Sequence, residues 1–472
     1  MRYALLAVAV CAVTAPLWAR TGAPILPPGV AAKLRIPYAE ARPILERLRP
    51  NLPSELATKT PAELESAWPD WVSRRDVEIR RRLEQGDEDS LFNLLLFGTS
   101  FTRLPRALND STKIGGRQRG AEIVRGRIAD LVAGIASPGA DERLLFAREL
   151  IARHGMDPAT PSGNEEVRLF LLGIMKRVVG EVEDYARTIK SARSVTDAMV
   201  EAAARSTLFH ARGLSSDTSI RVDFAIDQAL ETLASRGILG RGSVRRAAVV
   251  GPGLDFADKA EGYDFYPPQT IQPFSVIDSL RRLGLADAEG LRLMTFDLSP
   301  RINQHLEAAR RRASEGGGYL IVLPHDRDVS WRTGLLQFWR RFGSTIGEDT
   351  TAAPSPPAGV SVDVRAVAVR PDIVMSIEPR DVNVVLERLA PSAADEAFDL
   401  IVATNMFVYY DAFEQSLALA NVASMLRPGG LLLSNDVLLE LPTTPIHSAG
   451  YSAITYSDRS DDNDHIVWYQ RR

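Results

Sequence analysis

From about residue 36 to residue 239 the apolar positions recur every three or four residues, as in Ile79 and Leu83 or Val167, Phe170, Leu171 and Ile174. That spacing puts them on one side of a 3.6-residue turn and predicts helices. The helices are punctuated by turn-rich segments, among them residues 137–140 and 157–163, where Pro and Gly cluster. No fixed-period repeat is visible, so a solenoid has no support. Near Arg241 the pattern changes. Short β-rich runs at residues 247–250, 291–296, 319–323, 362–369, 398–404 and 430–434 now alternate with helical stretches. Alternation of this kind predicts a mostly parallel sheet with helices on its faces. A Pro-rich interruption at 352–359 reads as a surface loop or insertion, and residues 452–469 read as a final antiparallel hairpin around the polar turn 458–463.

The amino terminus follows a different rule. Arg2 precedes an apolar run at 3–13 and a small-residue segment ending in Ala19. This is the pattern of a bacterial signal peptide over residues 1–19, and the run is short for a bilayer span. Export, to the periplasm, is the expectation, with a membrane-anchored or a cytoplasmic chain as the alternatives; any membrane contact would come through an uncleaved signal. Residues 20–35, with Pro24, Pro27 and Pro28, read as a linker, with order beginning near Ile36. Cleavage after Ala19 would remove Cys11, the only cysteine, and with it disulfides, thiol catalysis and thiolate metal sites.

Bulk composition bounds the remainder. The 472 residues exceed what one hydrophobic core usually fills, which predicts a helical domain over 36–240 and an α/β domain over 241–472. With 56 basic and 60 acidic residues there is no broad positive field for a phosphate backbone, so no nucleic-acid partner is expected. No metal site is expected either: His325, Asp326 and Asp328 are metal-capable but read as loop hydrogen-bonding groups.

Three constellations carry candidate chemistry. In the first, the apolar run 247–250 enters Gly251-Pro252-Gly253-Leu254-Asp255. Glycine lets backbone approach a ligand closely at a strand's carboxyl end, although a strand ending in a Gly turn is also common structure. The loop that follows carries Tyr263, Phe265 and Tyr266, which either cover a pocket or dock the loop on the protein. In the second, the run 293–296 ends in Asp297, placed either to accept ribose hydroxyls or, with Ser299, to cap the next helix. The third is residues 398–411, with Asn405, Tyr409 and Tyr410, followed by a helix and by Arg427-Pro428-Gly429-Gly430 before an apolar strand.

Taken in order, these segments resemble class I S-adenosylmethionine-dependent methyltransferases over about 230 residues, and 398–411 is similar to the corresponding stretch of chemotaxis-receptor methyltransferases. The resemblance implies a Rossmann-like, doubly wound, mostly parallel sheet with a C-terminal antiparallel hairpin, preceded by the all-α domain. It implies S-adenosyl-L-methionine as cofactor, with Gly251 and Gly253 at the methionine end, Asp297 on the ribose and Asp255 as a further cofactor-binding residue. Asn405 would face the transferred methyl, and Asp381, in competition with Glu378, would lie near the adenine. Tyr409 is a candidate to orient the nucleophile. The implied activity is methyl transfer to an unknown acceptor, a small molecule or a protein.

Two other readings stand beside it. Asp255 falls near where a third glycine would be expected, which supports an exported binding or scaffold protein that keeps the fold without turnover. The other is a different nucleotide-binding enzyme; a hydride-transfer enzyme would show a third glycine and a shorter distance to its ribose acid, and neither is present. His210, in a polar link near the domain junction, either reaches the cleft or marks a helix break.

Overall fold

The computed structural model describes residues 32–106, 116–192, 213–254, 263–287, 290–356, 361–390, 396–459 and 462–472. Residues 1–31, with the expected signal and most of the linker, lie outside them, as do His210 and Asp255. In chain order the first elements are β1 (Ala32–Arg35), α1 (Tyr38–Arg47), α2 (Ser54–Ala57), α3 (Pro61–Phe97), α4 (Gly116–Ala136), α5 (Glu142–Arg153), α6 (Pro161–Ala192) and α7 (Ile220–Ser235). The α/β part follows with β2 (Arg246–Val250), α8 (Gln272–Arg282), β3 (Arg292–Phe296), α9 (Pro300–Ser314), β4 (Tyr319–Asp326), α10 (Thr333–Arg341) and β5 (Gly347–Asp349). It continues through β6 (Val362–Val369), α11 (Pro371–Met375), β7 (Ile377–Arg380), β8 (Glu387–Ala390), β9 (Phe398–Ala403), α12 (Ala412–Met425), β10 (Leu426–Ser434), β11 (Ile446–Thr455) and β12 (Asn463–Arg471).

A seven-stranded sheet runs in the order β11-β12-β10-β9-β2-β3-β7. The five strands from β10 to β7 are parallel, while β12 pairs antiparallel with β10 and with β11. Successive side chains of a strand point to opposite faces, and the sequence uses both. Ala247, Val249, Leu400 and Val402 join the core beneath α7, α8 and α9. Ala248, Val250, Ile401 and Ala403 join the core shared with α1, the first half of α3 and α12. Burial on both faces explains why these strands read as continuous apolar runs instead of alternating ones.

Packing redraws the boundaries expected from periodicity. Residues 32–35, expected as linker, form a strand paired antiparallel with β8. Trp68, Trp71 and Val72 of α3 sit in the same core as the sheet, and so does Leu45 of α1. A helical core of its own is built only farther along, from Leu91 to Ile174 on α3, α4, α5 and α6. Helix α7, placed by periodicity with the helical half, covers the opposite face of the sheet. Helical spacing says that a face is apolar; it does not say which surface will cover it.

The strands expected at 319–323 and 362–369 form, but not in the main sheet. As β4 and β6 they pair antiparallel with each other, and with β5 make a separate three-stranded sheet. The third strand on that side of the main sheet is the short β7, which pairs with β3. An insertion with its own apolar strands looks in sequence like further members of the main sheet.

Candidate functional site

The strand order fixes where a site can form. From β2 the chain goes to β3 on one side and later returns to β9 on the other, so the connections leaving β2 and β9 part and leave a crevice at their carboxyl ends. A cavity of about 820 Å³ occupies that crevice, lined among others by Gly251, Gly253, Asp297, Asn405 and Tyr409. Residues separated by up to 158 positions in sequence thus share one wall, each from the end of a neighbouring strand or the loop leaving it.

The two glycines do different work. Both have left-handed backbones, with φ of 67° at Gly251 and 72° at Gly253. A Cβ added to Gly251 would meet only Met406 Cγ, at 3.5 Å, so this glycine opens on the cavity. A Cβ on Gly253 would strike Asp217 O at 2.7 Å and Thr218 Cβ at 3.0 Å. The close approach that Gly253 permits is therefore used by the chain itself. Residues 214–219 form a strap across the glycine turn, tied to it by Leu254 N donating to Ser216 O at 2.6 Å. The strap is held to α3 as well, where Leu214 N donates to Arg82 O at 3.0 Å and a Cβ on Gly86 would overlap Leu214 O.

A buried hydrogen-bond relay braces the same turn from below. Thr270 Oγ1 donates to Gly253 O at 2.7 Å, and Thr270 N donates to Tyr319 Oη at 2.9 Å. The tyrosine hydroxyl accepts that bond and is also hydrogen-bonded to His305 Nε2, 2.8 Å away. Burial, with Arg312 and Arg301 nearby, lowers the His305 pKa to about 4, which keeps the ring neutral and able to accept.

Asp297, in the turn leaving β3, braces that turn and lines the cavity. Its Oδ1 accepts from Ser299 N at 2.7 Å, ordering the entry to α9, while the carboxyl stays on the cavity wall. Burial pushes its pKa up to about 7, opposed by the Ser299 and Leu298 amides and assisted by Asp381. An acid so poised titrates with its surroundings and gains from any ligand that donates to it.

Asn405 is the only non-glycine residue with positive φ among those described, at 54°. Asparagine tolerates this region better than most residues, and such backbone persists where its surroundings impose it. Here Asn435 at the end of β10 does so, accepting from Asn405 N and donating to Asn405 Oδ1, both at 2.7 Å. Before it, Thr404 Oγ1 accepts from Gln272 Nε2 at 2.9 Å. After it, the loop is clasped by α3 and α12: Arg82 donates to Tyr409 O at 2.9 Å, and Gln415 to the carbonyls of Phe407 and Tyr410. Tyr409 and Tyr410 both line the cavity; Tyr410 is buried near the Arg82 guanidinium, with burial raising its pKa.

Not every expected residue arrives. Asp381 points away from the cavity and pairs with Arg80 at 2.8 Å, its side chain 52% exposed. Glu378 pairs with Arg380, also away from the wall. The turn after β7 presents Val382, Asn383 and Val384 instead, an apolar edge with one amide. Tyr263 and Tyr266 are docked on the protein and do not line the cavity; Tyr263 donates to Asp326 at 2.9 Å, and Arg143 holds the Tyr266 carbonyl. His325 packs at a tilt against Trp331 and Trp339, and no metal-capable cluster of three His, Cys, Asp or Glu occurs among the described residues.

Sequence reasoning missed the far wall, where Asn435, Asp436, Asn463, Asp464 and His465 line the cavity. They come from the ends of β10 and the terminal hairpin. Their cue in sequence was a polar stretch closing two apolar strands, which reads as an ordinary turn.

No family model and no curated protein matches the sequence. Solved structures with a partial likeness include methyltransferases. TrmN from Thermus thermophilus aligns with 52% of this chain and 48% of its own, at 10% identity and a TM-score of 0.24, so the chain spans about half of that protein. The glycopeptide N-methyltransferase MtfA, complexed with S-adenosyl-L-methionine, aligns with 52% of this chain and 94% of its own, at 10% identity and a TM-score of 0.26. Magnesium protoporphyrin IX methyltransferase from Synechocystis PCC 6803 aligns with 57% and 90%, at 10% identity and 0.24.

Proposed function

We propose that this chain binds S-adenosyl-L-methionine in the 820 Å³ cavity and transfers its methyl group to an acceptor entering from the far wall. The observation that carries the reading is the meeting of Gly251, Asp297 and Asn405, from the ends of three adjacent strands, at the point where strand order reverses. Gly251 would let the cofactor's backbone-facing end approach, and the Asp297 carboxyl would accept its ribose hydroxyls. Asn405, fixed by Asn435, would sit against the reacting carbon. When bound, the cofactor supplies an electrophilic methyl on a sulfonium. The protein's share is alignment and exclusion of water, which accounts for a site built from backbone turns and short polar side chains. The adenine would lie against Val382 and Val384, and Asp381 is not proposed for it.

A second reading is favoured by one observation, the strap on Gly253, which fills the space where a ligand would use that glycine. On it, the chain is a binding or scaffold protein without turnover. Calorimetric titration of the full chain with S-adenosyl-L-methionine separates them: binding in the micromolar range supports the enzyme, and no heat at millimolar ligand overturns it. The likeness of 398–411 to chemotaxis-receptor methyltransferases is carried by those residues alone. Export through residues 1–19 is part of the proposal and rests on their sequence. No helix among the described residues is long and apolar enough to cross a membrane. A fusion of residues 1–30 to a reporter active only outside the cytoplasm tests it, and an inactive reporter would remove export.

A further inference from the structure

The chemistry of the acceptor is written in the charge of the cavity. Asp87, Asp217, Asp297, Asp436 and Asp464 line it, and among the described residues no lysine or arginine does. These acids divide by position. Asp87 is answered from outside by Arg153 at 2.8 Å, Asp217 lies in the strap on Gly253, and Asp297 ends the ribose-side strand. That leaves Asp436 and Asp464 on the far wall, and hydrogen bonds link Asp464 to Asn405. Asn435 donates to Asn405 Oδ1 at 2.7 Å and to Asp464 Oδ2 at 3.5 Å, and Asp436 follows Asn435 directly in the chain. Asp464 is thus joined through Asn435 to the residue assigned to the methyl group, and Asp436 lines the same cavity.

Carboxylates around one spot call for N–H donors and positive charge.

Resting on the function proposed above, we infer that the methyl acceptor is an amine, held as its ammonium form between Asp436 and Asp464 next to Asn405. An acceptor carrying a carboxylate or phosphate at the reacting end would meet like charges in a half-buried wall and be rejected. One N–H proton passes to the Asp464 carboxylate, whose hold on a proton is raised by burial. The freed nitrogen lone pair attacks the methyl carbon. The carbon–sulfur bond breaks with its electron pair going to sulfur, leaving a neutral thioether and a methylated ammonium, and Asp464 returns its proton to solvent.

The test is calorimetry on the full chain saturated with S-adenosylhomocysteine, using putrescine, adipate and 1,4-butanediol as probes with the same four-carbon spacer and different charge. Putrescine should bind, and the other two should bind at least tenfold more weakly. Asp436→Asn and Asp464→Asn should each weaken putrescine at least tenfold while keeping the S-adenosylhomocysteine Kd within twofold. Adipate binding as well as putrescine, no binding of putrescine at all, or Asn variants that bind it unchanged would overturn the inference. If one variant fails to melt cooperatively, the other supplies the comparison. Absence of heat with S-adenosylhomocysteine itself would instead strike the underlying functional reading, and is seen before any amine is added.

Discussion

Replacing Asp297 with Asn removes a proton equilibrium and keeps the shape. The folded chain holds this carboxyl at a pKa of about 7 against an ordinary 3.8, chiefly because it is buried. Folding therefore favours the neutral acid. Below about pH 4 the acid is neutral in both states and contributes nothing. As pH rises from 4 to 7 the unfolded chain ionises while the folded one keeps its proton, so stability falls, and above pH 7 the full penalty is present. At 1.36 kcal/mol per pH unit the difference is about 4 kcal/mol, and roughly half that if cavity water screens the charge. The substituted amide could still accept from Ser299 N, so Asp297→Asn without ligand should be about 2–4 kcal/mol more stable than wild type at pH 8 and equal to it near pH 4. Cofactor binding should move the other way. A carboxylate accepting ribose hydroxyls contributes about 1.5–3 kcal/mol, so the variant should bind S-adenosyl-L-methionine roughly ten- to a hundredfold more weakly at pH 8. Wild-type affinity should weaken up to about tenfold per unit as pH drops below 7, since binding must first expel a proton. Denaturant melts and calorimetry between pH 5 and 8.5 measure both quantities. Equal cofactor affinities for variant and wild type at pH 8 would refute the ribose assignment, and equal melts across that range would refute the raised pKa.

Three further perturbations probe the scaffold of the site. Thr270→Val removes the donor to Gly253 O at nearly constant volume and should weaken cofactor binding about tenfold, with Thr270→Ser restoring it; equal calorimetric affinities for Val and wild type would detach the relay from the site. Gly253→Ala places a methyl 2.7 Å from Asp217 O on a left-handed backbone and should cost about 2–4 kcal/mol of stability in urea melts, where a neutral result would mean that the strap yields freely. Asp227, 1% exposed, holds Ser279, Arg282 and Arg341 together from α8 and α10, so Asp227→Ala should lower stability by about 3–5 kcal/mol; an unchanged Tm would show that solvent replaces it.

The boundary between legible and illegible features follows from the range of the forces involved. The runs 247–250, 293–296 and 398–403 were visible because strands buried on both faces must be apolar throughout, and that requirement is local. Gly251 and Asp297 were visible for a related reason, since each terminates such a run. Asn405 was reached only through resemblance, because a left-handed asparagine has no composition signal of its own. The neighbourhood of β4 and β6 was misread because apolar strands say nothing of their partners, and pairing is settled by which edge is free when the chain returns.

Sequence alone therefore determined the alternation of strands and helices, the glycine turn and the acid after the next strand, all consequences of neighbours along the chain. Only the tertiary structure decided that the strap would take up the approach to Gly253, that Asp381 would turn outward to Arg80, and that the terminal hairpin would bring Asp464 within two hydrogen bonds of Asn405. Those outcomes depend on contacts between segments up to 301 residues apart, as Arg80 is from Asp381. Such contacts form where buried polar groups find their partners in space, and no pattern of nearest neighbours records that choice.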